Sequence, residues 1–272
     1  MDLHTVDELV QPRTDAALPF PRPGDAAVAG GTWLFSEPQP GVRRLVDLAG
    51  LGWDELRTTP RGLRVGATCT VAALAAAELP WHGATGLARF CAAALASSFK
   101  IQAAATVGGN LCLALPAGSF TAWAAALDGV CVVRTLAGGE RRVPASGFVV
   151  GDRQTVLKAG ELLRAVELPA ASLARRVASR RVSLARLGRS GALLVGTSGD
   201  DWRLTVTAST KRPVVVRFPA PPGPDALRAA LHRAIPDALL HDDVHGRPDW
   251  RRHMTATLAE EIRAELAGEP GV

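Results

Sequence analysis

The spacing of apolar residues along the chain predicts short strands and helices in three successive units. In the first unit, residues 1–55, a short helix is predicted at Thr5–Val10, where a hydroxyl side chain precedes a turn of acidic and apolar residues. Four prolines follow and favour an extended passage. The apolar runs Ala26–Ala29 and Leu45–Leu48 then predict two strands, so this unit is expected to be a small α/β layer.

The second unit, residues 56–170, mixes helical and strand patterns. Thr70 is placed to cap the helix that follows it, and the glycine pair at 138–139 is typical of a hairpin turn. Apolar residues recur at helical spacing between Leu87 and Leu95, which predicts a buried helix. The predicted elements are strands at Leu63–Thr68, Val130–Val133 and Phe148–Val150, and helices at Thr70–Ala77, Ala84–Ser97 and Thr121–Leu127.

The third unit, residues 171–272, begins with alternating apolar and polar positions. The runs Ala192–Gly196, Trp202–Ala208 and Val214–Phe218 are separated by short polar turns, which predicts an antiparallel meander. Two helices should follow, at residues 224–235 and 250–267, the second amphipathic. The whole chain is therefore expected to have an α+β fold.

Composition narrows the function classes only slightly. With 272 residues, 47% of them hydrophobic and 21% charged, the chain is typical of a folded protein. Its formal charge is +5 and comes mainly from arginine. Such a charge suits nucleic acid, but equally acidic proteins or bound phosphates. Charge alone therefore does not identify a partner.

The four cysteines are spaced about 20 residues apart and form no Cys-x-x-Cys pair. Neighbouring thiols therefore cannot build a zinc or iron-sulfur site. The acidic start of the chain is unlike a signal peptide, and no apolar run approaches the roughly 18 residues of a membrane span. A cytoplasmic protein with reduced thiols and no membrane span is expected.

Two glycine-rich segments, Val28–Leu34 and Ala105–Leu111, carry the strongest chemical signal. Each places paired glycines beside a hydroxyl or amide side chain, which lets backbone N–H groups approach an anion closely. Two such loops are suited to clamping one pyrophosphate. Neither is a dinucleotide fingerprint or a P-loop, and the alternative interpretation of each is a plain turn.

Taken together, the two segments resemble the flavin subunit of molybdenum hydroxylases, the xanthine dehydrogenase and carbon monoxide dehydrogenase family. Further matches follow in the order of that family, at Leu63–Thr68, Thr155–Leu163, Val166–Pro169 and Asp249–Met254. The resemblance spans nearly the whole chain. It implies a two-subdomain FAD-binding fold of the PCMH type, followed by a C-terminal antiparallel sheet with helices.

The resemblance also implies which residues bind FAD. The first segment would offer backbone N–H groups and the Thr32 hydroxyl to the pyrophosphate, and the second would contact pyrophosphate and ribityl groups. The cofactor-binding residues implied are Ala29, Gly30, Gly31, Thr32, Trp33, Leu34, Thr106, Val107, Gly108, Gly109, Asn110, Ser119, Leu163 and Arg176.

Three of these residues carry an open alternative or a departure from the family. Ser119 stands where the family usually has an aspartate that holds sugar hydroxyls, and residues 100–103 lack the family's Arg and Asn. Leu163 matches a leucine near the flavin, but an apolar strand residue is equally a core residue. Arg176 would neutralise phosphate or reduced flavin, or would belong to a solvated strand edge.

The predicted function is that of an oxidoreductase subunit, a flavoprotein that passes electrons from iron-sulfur clusters through FAD to an external acceptor. Its expected partners are an iron-sulfur subunit and a molybdenum-cofactor subunit, and no nucleic acid. No catalytic acid-base residue and no metal site are expected in this chain. Two alternatives stay open, an FAD-dependent UDP-sugar reductase and a basic interaction module without flavin.

Overall fold

A computed structural model describes residues 3–19 and 22–269. The strands are β1 (Glu8–Val10), β2 (Asp25–Val28), β3 (Arg44–Asp47), β4 (Leu56–Thr59), β5 (Gly62–Gly66), β6 (Val130–Arg134), β7 (Glu140–Pro144), β8 (Val149–Gly151), β9 (Gln154–Thr155), β10 (Leu162–Pro169), β11 (Arg176–Val182), β12 (Ala192–Ser198), β13 (Trp202–Thr207) and β14 (Val214–Phe218). The α-helices are α1 (Val71–Ala76), α2 (His82–Ala94), α3 (Phe99–Ala104), α4 (Val107–Leu113), α5 (Ser119–Ala126), α6 (Ala170–Leu173), α7 (Pro224–Ala234) and α8 (Pro248–Ala267).

The first sheet is parallel and has the order β1-β3-β2. The two strands predicted near residues 26 and 45 are confirmed, but the helix predicted at Thr5–Val10 is wrong, because Glu8–Val10 pairs with β3. The Thr5 hydroxyl donates to the Val42 carbonyl at 2.7 Å instead of capping a helix. So short a helix is marginal by itself, and the exposed edge of β3 offers better hydrogen bonds.

The second sheet is antiparallel, with the order β4-β5-β10-β6-β7. Thr70 caps α1 as predicted, accepting a hydrogen bond from the Ala73 N–H at 3.1 Å. The glycine pair at 138–139 closes the hairpin between β6 and β7. The predicted helices and strands of this unit are confirmed, with boundaries shifted by at most three residues.

The C-terminal sheet is an antiparallel meander, β11-β12-β13-β14, whose last three strands are the predicted ones and to which β11 adds a fourth. Helix α8 packs on one face and buries Leu258 and Ile262, so its predicted amphipathic character is confirmed. Helix α5, of which every residue is buried, packs on β12 and β13 as well as on its own unit. The core around Trp123 therefore includes Leu193 and Val195 of the C-terminal sheet.

The predicted fold class, α+β with a C-terminal antiparallel sheet, is thus confirmed. Within the two described ranges, none of the helices has the length and apolar character needed to cross a membrane.

Candidate functional site

The two glycine-rich segments, far apart in sequence, touch one another. Gly30 lies so close to the end of α3 that a Cβ atom built on it falls 1.8 Å from the carbonyl oxygen of Ala104. Ala104 comes two residues before Thr106, where the second segment begins to form α4. The absence of a side chain at Gly30 is therefore required by the contact between the segments.

The second segment is the start of a helix, not the loop that its glycine pair predicted. Thr106 is the N-cap of α4, and its hydroxyl accepts from the Gly109 N–H at 3.0 Å. The N–H groups of Val107 and Gly108 donate to the Cys69 and Ala67 carbonyls, both at 2.9 Å. Gly108 is packed so tightly on Ala67 that its added Cβ falls 2.6 Å away. These contacts hold a helical path despite the low helix propensity of glycine.

The N–H groups of residues 107–110 are already used within the chain, so this part of the second segment presents a surface rather than a set of backbone donors. Gly109 is exposed, and a Cβ atom built on it meets only the Thr106 Oγ1 within 4 Å. The Asn110 side-chain oxygen accepts from the Phe120 N–H at 3.0 Å and so ties α4 to α5. A ligand above α4 can approach the backbone at Gly109 closely.

The first segment supplies free donors. Within residues 3–19 and 22–269, the N–H groups of residues 30–34 make no hydrogen bond, and neither does the Thr32 hydroxyl. Gly31 has a φ of +66°, a left-handed conformation that favours glycine and turns the chain sharply after β2. Ala29 and Leu34, at the two ends of this turn, are half-buried. Successive unpaired N–H groups in such a turn are a common way to bind an anion.

A cavity of about 390 Å³ adjoins the first segment at Trp33. It lies between this segment, the chain that follows α4, and the loops at one end of the C-terminal sheet. Its walls are formed by Trp33, Glu37, Leu115, Pro116, Ala117, Asp152, Arg153, Arg189, Ser190, Ala208, His241, Asp242, Asp243 and Arg251. Only Trp33 among the fourteen residues implied by the family resemblance lines the cavity.

Arg251 holds the C-terminal wall of this cavity together. Only 1% of it is exposed, and its Nη1 donates to the carbonyls of Gly191 and Ala208, both at 2.6 Å. Its Nε donates to the Gly246 carbonyl, and its Nη2 lies 2.5 Å from Asp243 Oδ1. Sequence reasoning placed Arg251 only in a helix start. The sequence did contain a signal for its burial, because Arg251 lies on the face of α8 that otherwise carries buried apolar residues such as Leu258 and Ile262.

Two ion pairs lie on the cavity wall, Asp243 with Arg251 and Glu37 with Arg153. Burial tends to raise the pKa of Asp243, but the His245 N–H and the positive charge of Arg251 more than offset this, so the pKa lies below its ordinary value. The Arg153 guanidinium lies over the Trp33 ring, 5.6 Å from its centroid, and faces Glu37 at 3.9 Å. Arg153 thereby covers one side of the indole.

The remaining predicted residues occupy other places. Ser119 is fully buried, and its hydroxyl donates to the Cys91 carbonyl at 2.7 Å. Leu163 is buried in β10, beneath α4, and Val107 is buried at the start of that helix. Arg176 begins β11 and donates to the Leu266 carbonyl at the end of α8. The structure thus brings together residues 29–34 and 106–110, with Leu163 below them, but not Ser119 or Arg176 with the cavity.

The side chains that commonly bind metals do not cluster in the described ranges. No group of three or more His, Cys, Asp or Glu side chains is arranged to hold a metal ion there. All four cysteines are free, and burial raises the pKa of the Cys69 thiol to about 11.

Comparison with known proteins identifies the family. Residues 4–171 match the family described as the FAD binding domain in molybdopterin dehydrogenase. The chain therefore belongs to that family, and its cofactor is FAD. The resemblance found in the sequence is confirmed. The match does not support the two alternatives, an FAD-dependent UDP-sugar reductase and a basic interaction module without flavin. Among curated proteins, none matches the sequence.

Solved structures show the same fold over the full length. Quinoline 2-oxidoreductase from Pseudomonas putida 86 aligns with a TM-score of 0.79 and 20% identity, covering 98% of this chain and 99% of that chain. A Cu,Mo-CO dehydrogenase in its cyanide-inactivated form aligns with a TM-score of 0.77 and 20% identity, covering 95% and 99%. The carbon monoxide dehydrogenase of Hydrogenophaga pseudoflava aligns with a TM-score of 0.76 and 19% identity, covering 97% of this chain and 98% of that chain.

Proposed function

We propose that this chain is the FAD-binding, electron-transfer subunit of a molybdenum hydroxylase. The observation that carries the proposal is the contact between Gly30 and Ala104, which joins the free N–H groups of residues 30–33 to the exposed backbone of Gly109. This joined surface is suited to a pyrophosphate, and it opens beside a cavity large enough for an aromatic ring system.

In this proposal the redox chemistry is supplied by FAD when it is bound. The residues of the chain bind and orient the cofactor. The N–H groups of residues 30–33 donate to the pyrophosphate, with the Thr32 hydroxyl as a further donor. Gly109 admits the cofactor to the surface of α4, and Thr106 and Asn110 hold that surface in place. Leu163 lies buried below α4, and Ser119 and Arg176, neither of which lines the cavity, support the fold around this site.

The partners follow from what the chain offers. The described residues provide no cluster of cysteines or histidines that would hold an iron-sulfur centre. Electrons must therefore reach the cofactor from another subunit. One similar structure is a Cu,Mo-CO dehydrogenase, and another lacks the Mo-pyranopterin moiety of its molybdenum cofactor. We infer an iron-sulfur subunit and a molybdenum-cofactor subunit as partners, a cytoplasmic location for the assembly, and units at residues 1–55, 56–170 and 171–272.

The test uses the full-length chain purified by itself and then mixed with its partners. Alone it should be yellow, and heat denaturation followed by filtration should release all flavin, since neither glycine segment contains a histidine or cysteine to attach it. It should not reduce a dye when aldehydes or purines are added. Activity should appear only after reconstitution with iron-sulfur and molybdenum subunits. Substrate-dependent dye reduction by the single chain would overturn the proposal.

A further inference from the structure

Two buried polar groups on the cavity wall have no hydrogen-bond partner among residues 3–19 and 22–269. They are the indole Nε1–H of Trp33 and the hydroxyl of Ser190. Ser190 is 1% exposed, so bulk water does not compensate for the missing partner. A buried donor left unpaired costs about 1–3 kcal/mol, which makes two on one cavity wall an observation that requires an explanation.

These two groups differ in position from the other unpaired ones. Ser97 Oγ and Trp202 Nε1 are also buried without a partner in the described part of the chain, but neither residue lines the cavity. Trp202 lies in the core of the C-terminal sheet, edge-on to Phe218. These residues therefore serve as matched comparisons, because each has the same chemical group in a place where no cofactor is expected.

The structure fixes both donors. Trp33 belongs to the segment whose N–H groups are free, and Arg153 covers its ring. Ser190 directly precedes Gly191, whose carbonyl is held by the buried Arg251. The two donors are far apart in the sequence, and both line this cavity. A ligand that accepts from both must lie next to the predicted pyrophosphate site.

The cavity favours a neutral, planar acceptor over a second phosphate. Its lining includes the carboxylates of Glu37, Asp152, Asp242 and Asp243 beside the cations of Arg153, Arg189 and Arg251, so the walls offer a second phosphate no excess of positive charge. The isoalloxazine ring of FAD presents two carbonyl oxygens and ring nitrogens as acceptors. It also fills more of 390 Å³ than the smaller adenine ring does.

We propose that Trp33 and Ser190 are the hydrogen-bond donors of this chain to the isoalloxazine ring of FAD. The inference rests on the proposed function, because it requires FAD to bind with its pyrophosphate at residues 30–33. It adds Ser190, which no motif in the sequence indicated. It also gives Trp33 a role for its side chain in addition to its backbone.

The experiment removes one donor at a time from the full chain. Trp33→Phe keeps an aromatic ring without the N–H, and Ser190→Ala removes only the hydroxyl. Trp202→Phe and Ser97→Ala are the matched controls. Each purified variant is measured for FAD occupancy, for the positions of the visible absorption bands and for the two-electron midpoint potential.

Each cavity variant should retain FAD with a roughly three- to tenfold weaker dissociation constant. Its absorption bands should move. The ratio of its affinities for oxidised and reduced FAD should change by up to roughly tenfold, about 30 mV for a two-electron couple. The direction of the change reports whether the donor faces an atom that gains or loses negative charge on reduction. The controls should keep the wild-type spectrum and potential.

Two results would overturn this inference. One is an unchanged spectrum and potential in both cavity variants. The other is a loss of affinity without any spectral change, which is the result expected if the adenine ring occupies the cavity. If instead the wild-type chain binds no FAD, the proposed function itself fails. The wild-type measurement therefore separates the two failures.

Discussion

Gly30 lies against the carbonyl of Ala104, and this contact joins the two glycine segments of the proposed cofactor site. A Cβ atom at Gly30 would fall 1.8 Å from the Ala104 oxygen and 2.6 Å from its carbonyl carbon. Both atoms belong to backbone that cannot rotate away. The glycine is therefore needed to bring the segments together, whether or not it also touches the cofactor.

Gly30→Ala should accordingly destabilise the chain and weaken FAD binding together. Overpacking against rigid backbone costs about 1–3 kcal/mol. Urea unfolding and flavin titration measure the two effects. Gly86→Ala is the control, because Gly86 is an exposed residue of α2 with open space around it. That variant should be more stable by about 0.5–1 kcal/mol and should bind FAD normally. Normal stability of Gly30→Ala would contradict the contact.

Gly109→Val should reduce FAD occupancy with little effect on folding. The new side chain covers the exposed face of α4 and presses on the Thr106 hydroxyl, which lies 2.9 Å from the position of the added Cβ. Backbone strain is not the reason, since Gly109 lies within a helix and is not among the glycines with positive φ. Gly86→Val, in another helix, is the matched control. Circular dichroism and flavin content are measured on both, and full occupancy in Gly109→Val would show that the cofactor does not approach this face.

Arg251→Met should be strongly destabilising. The substitution removes the buried donor of three backbone carbonyls and of the Asp243 carboxylate. Such a loss typically lowers the free energy of unfolding by about 3–5 kcal/mol. The neighbouring Arg252→Met removes an arginine whose carboxylate partner, Asp237, is 94% exposed, and it should cost about 1 kcal/mol or less. Chemical unfolding measures both. Equal effects would mean that burial of Arg251 does not matter.

The Arg141–Glu161 pair should stabilise the fold in a pH-dependent way. Hydrogen bonding to Arg141 is the main cause that lowers the pKa of Glu161 from its ordinary value of 4.5 to about 2, despite the opposing effect of burial. A lowered pKa in the folded state gives stability that is present above pH 4.5 and is lost as the pH falls towards 2.

Glu161→Gln should therefore cost about 1–3 kcal/mol at pH 7, and the difference from wild type should shrink between pH 4.5 and pH 2. Urea unfolding across this range measures it. Glu78→Gln is the control, because the pair of Glu78 with Arg89 is exposed and should contribute little at any pH. If the stability difference between Glu161→Gln and wild type stays constant down to pH 2, the lowered pKa of Glu161 is not its cause.

Local sequence patterns determined most of the elements. Alternation predicted the meander from Ala192 to Phe218, helical spacing predicted α8, and a hydroxyl before an apolar turn located the cap at Thr70. These predictions succeeded because each pattern reports which face of an element is buried. The same reasoning failed at Thr5–Val10 and at Gly108, where pairing with β3 and packing on Ala67 decided the conformation.

The sequence by itself also determined the family, because its two glycine segments occur in order with several further matches. Only the tertiary structure decided that Gly30 is required by a backbone contact and that the N–H groups after Thr106 are used within the chain. It also decided that Ser190 and Arg251, distant in sequence from both segments, form a wall of the neighbouring cavity. Sequence patterns record the burial of single elements, whereas this site depends on contacts between residues far apart in the chain, which no local spacing encodes.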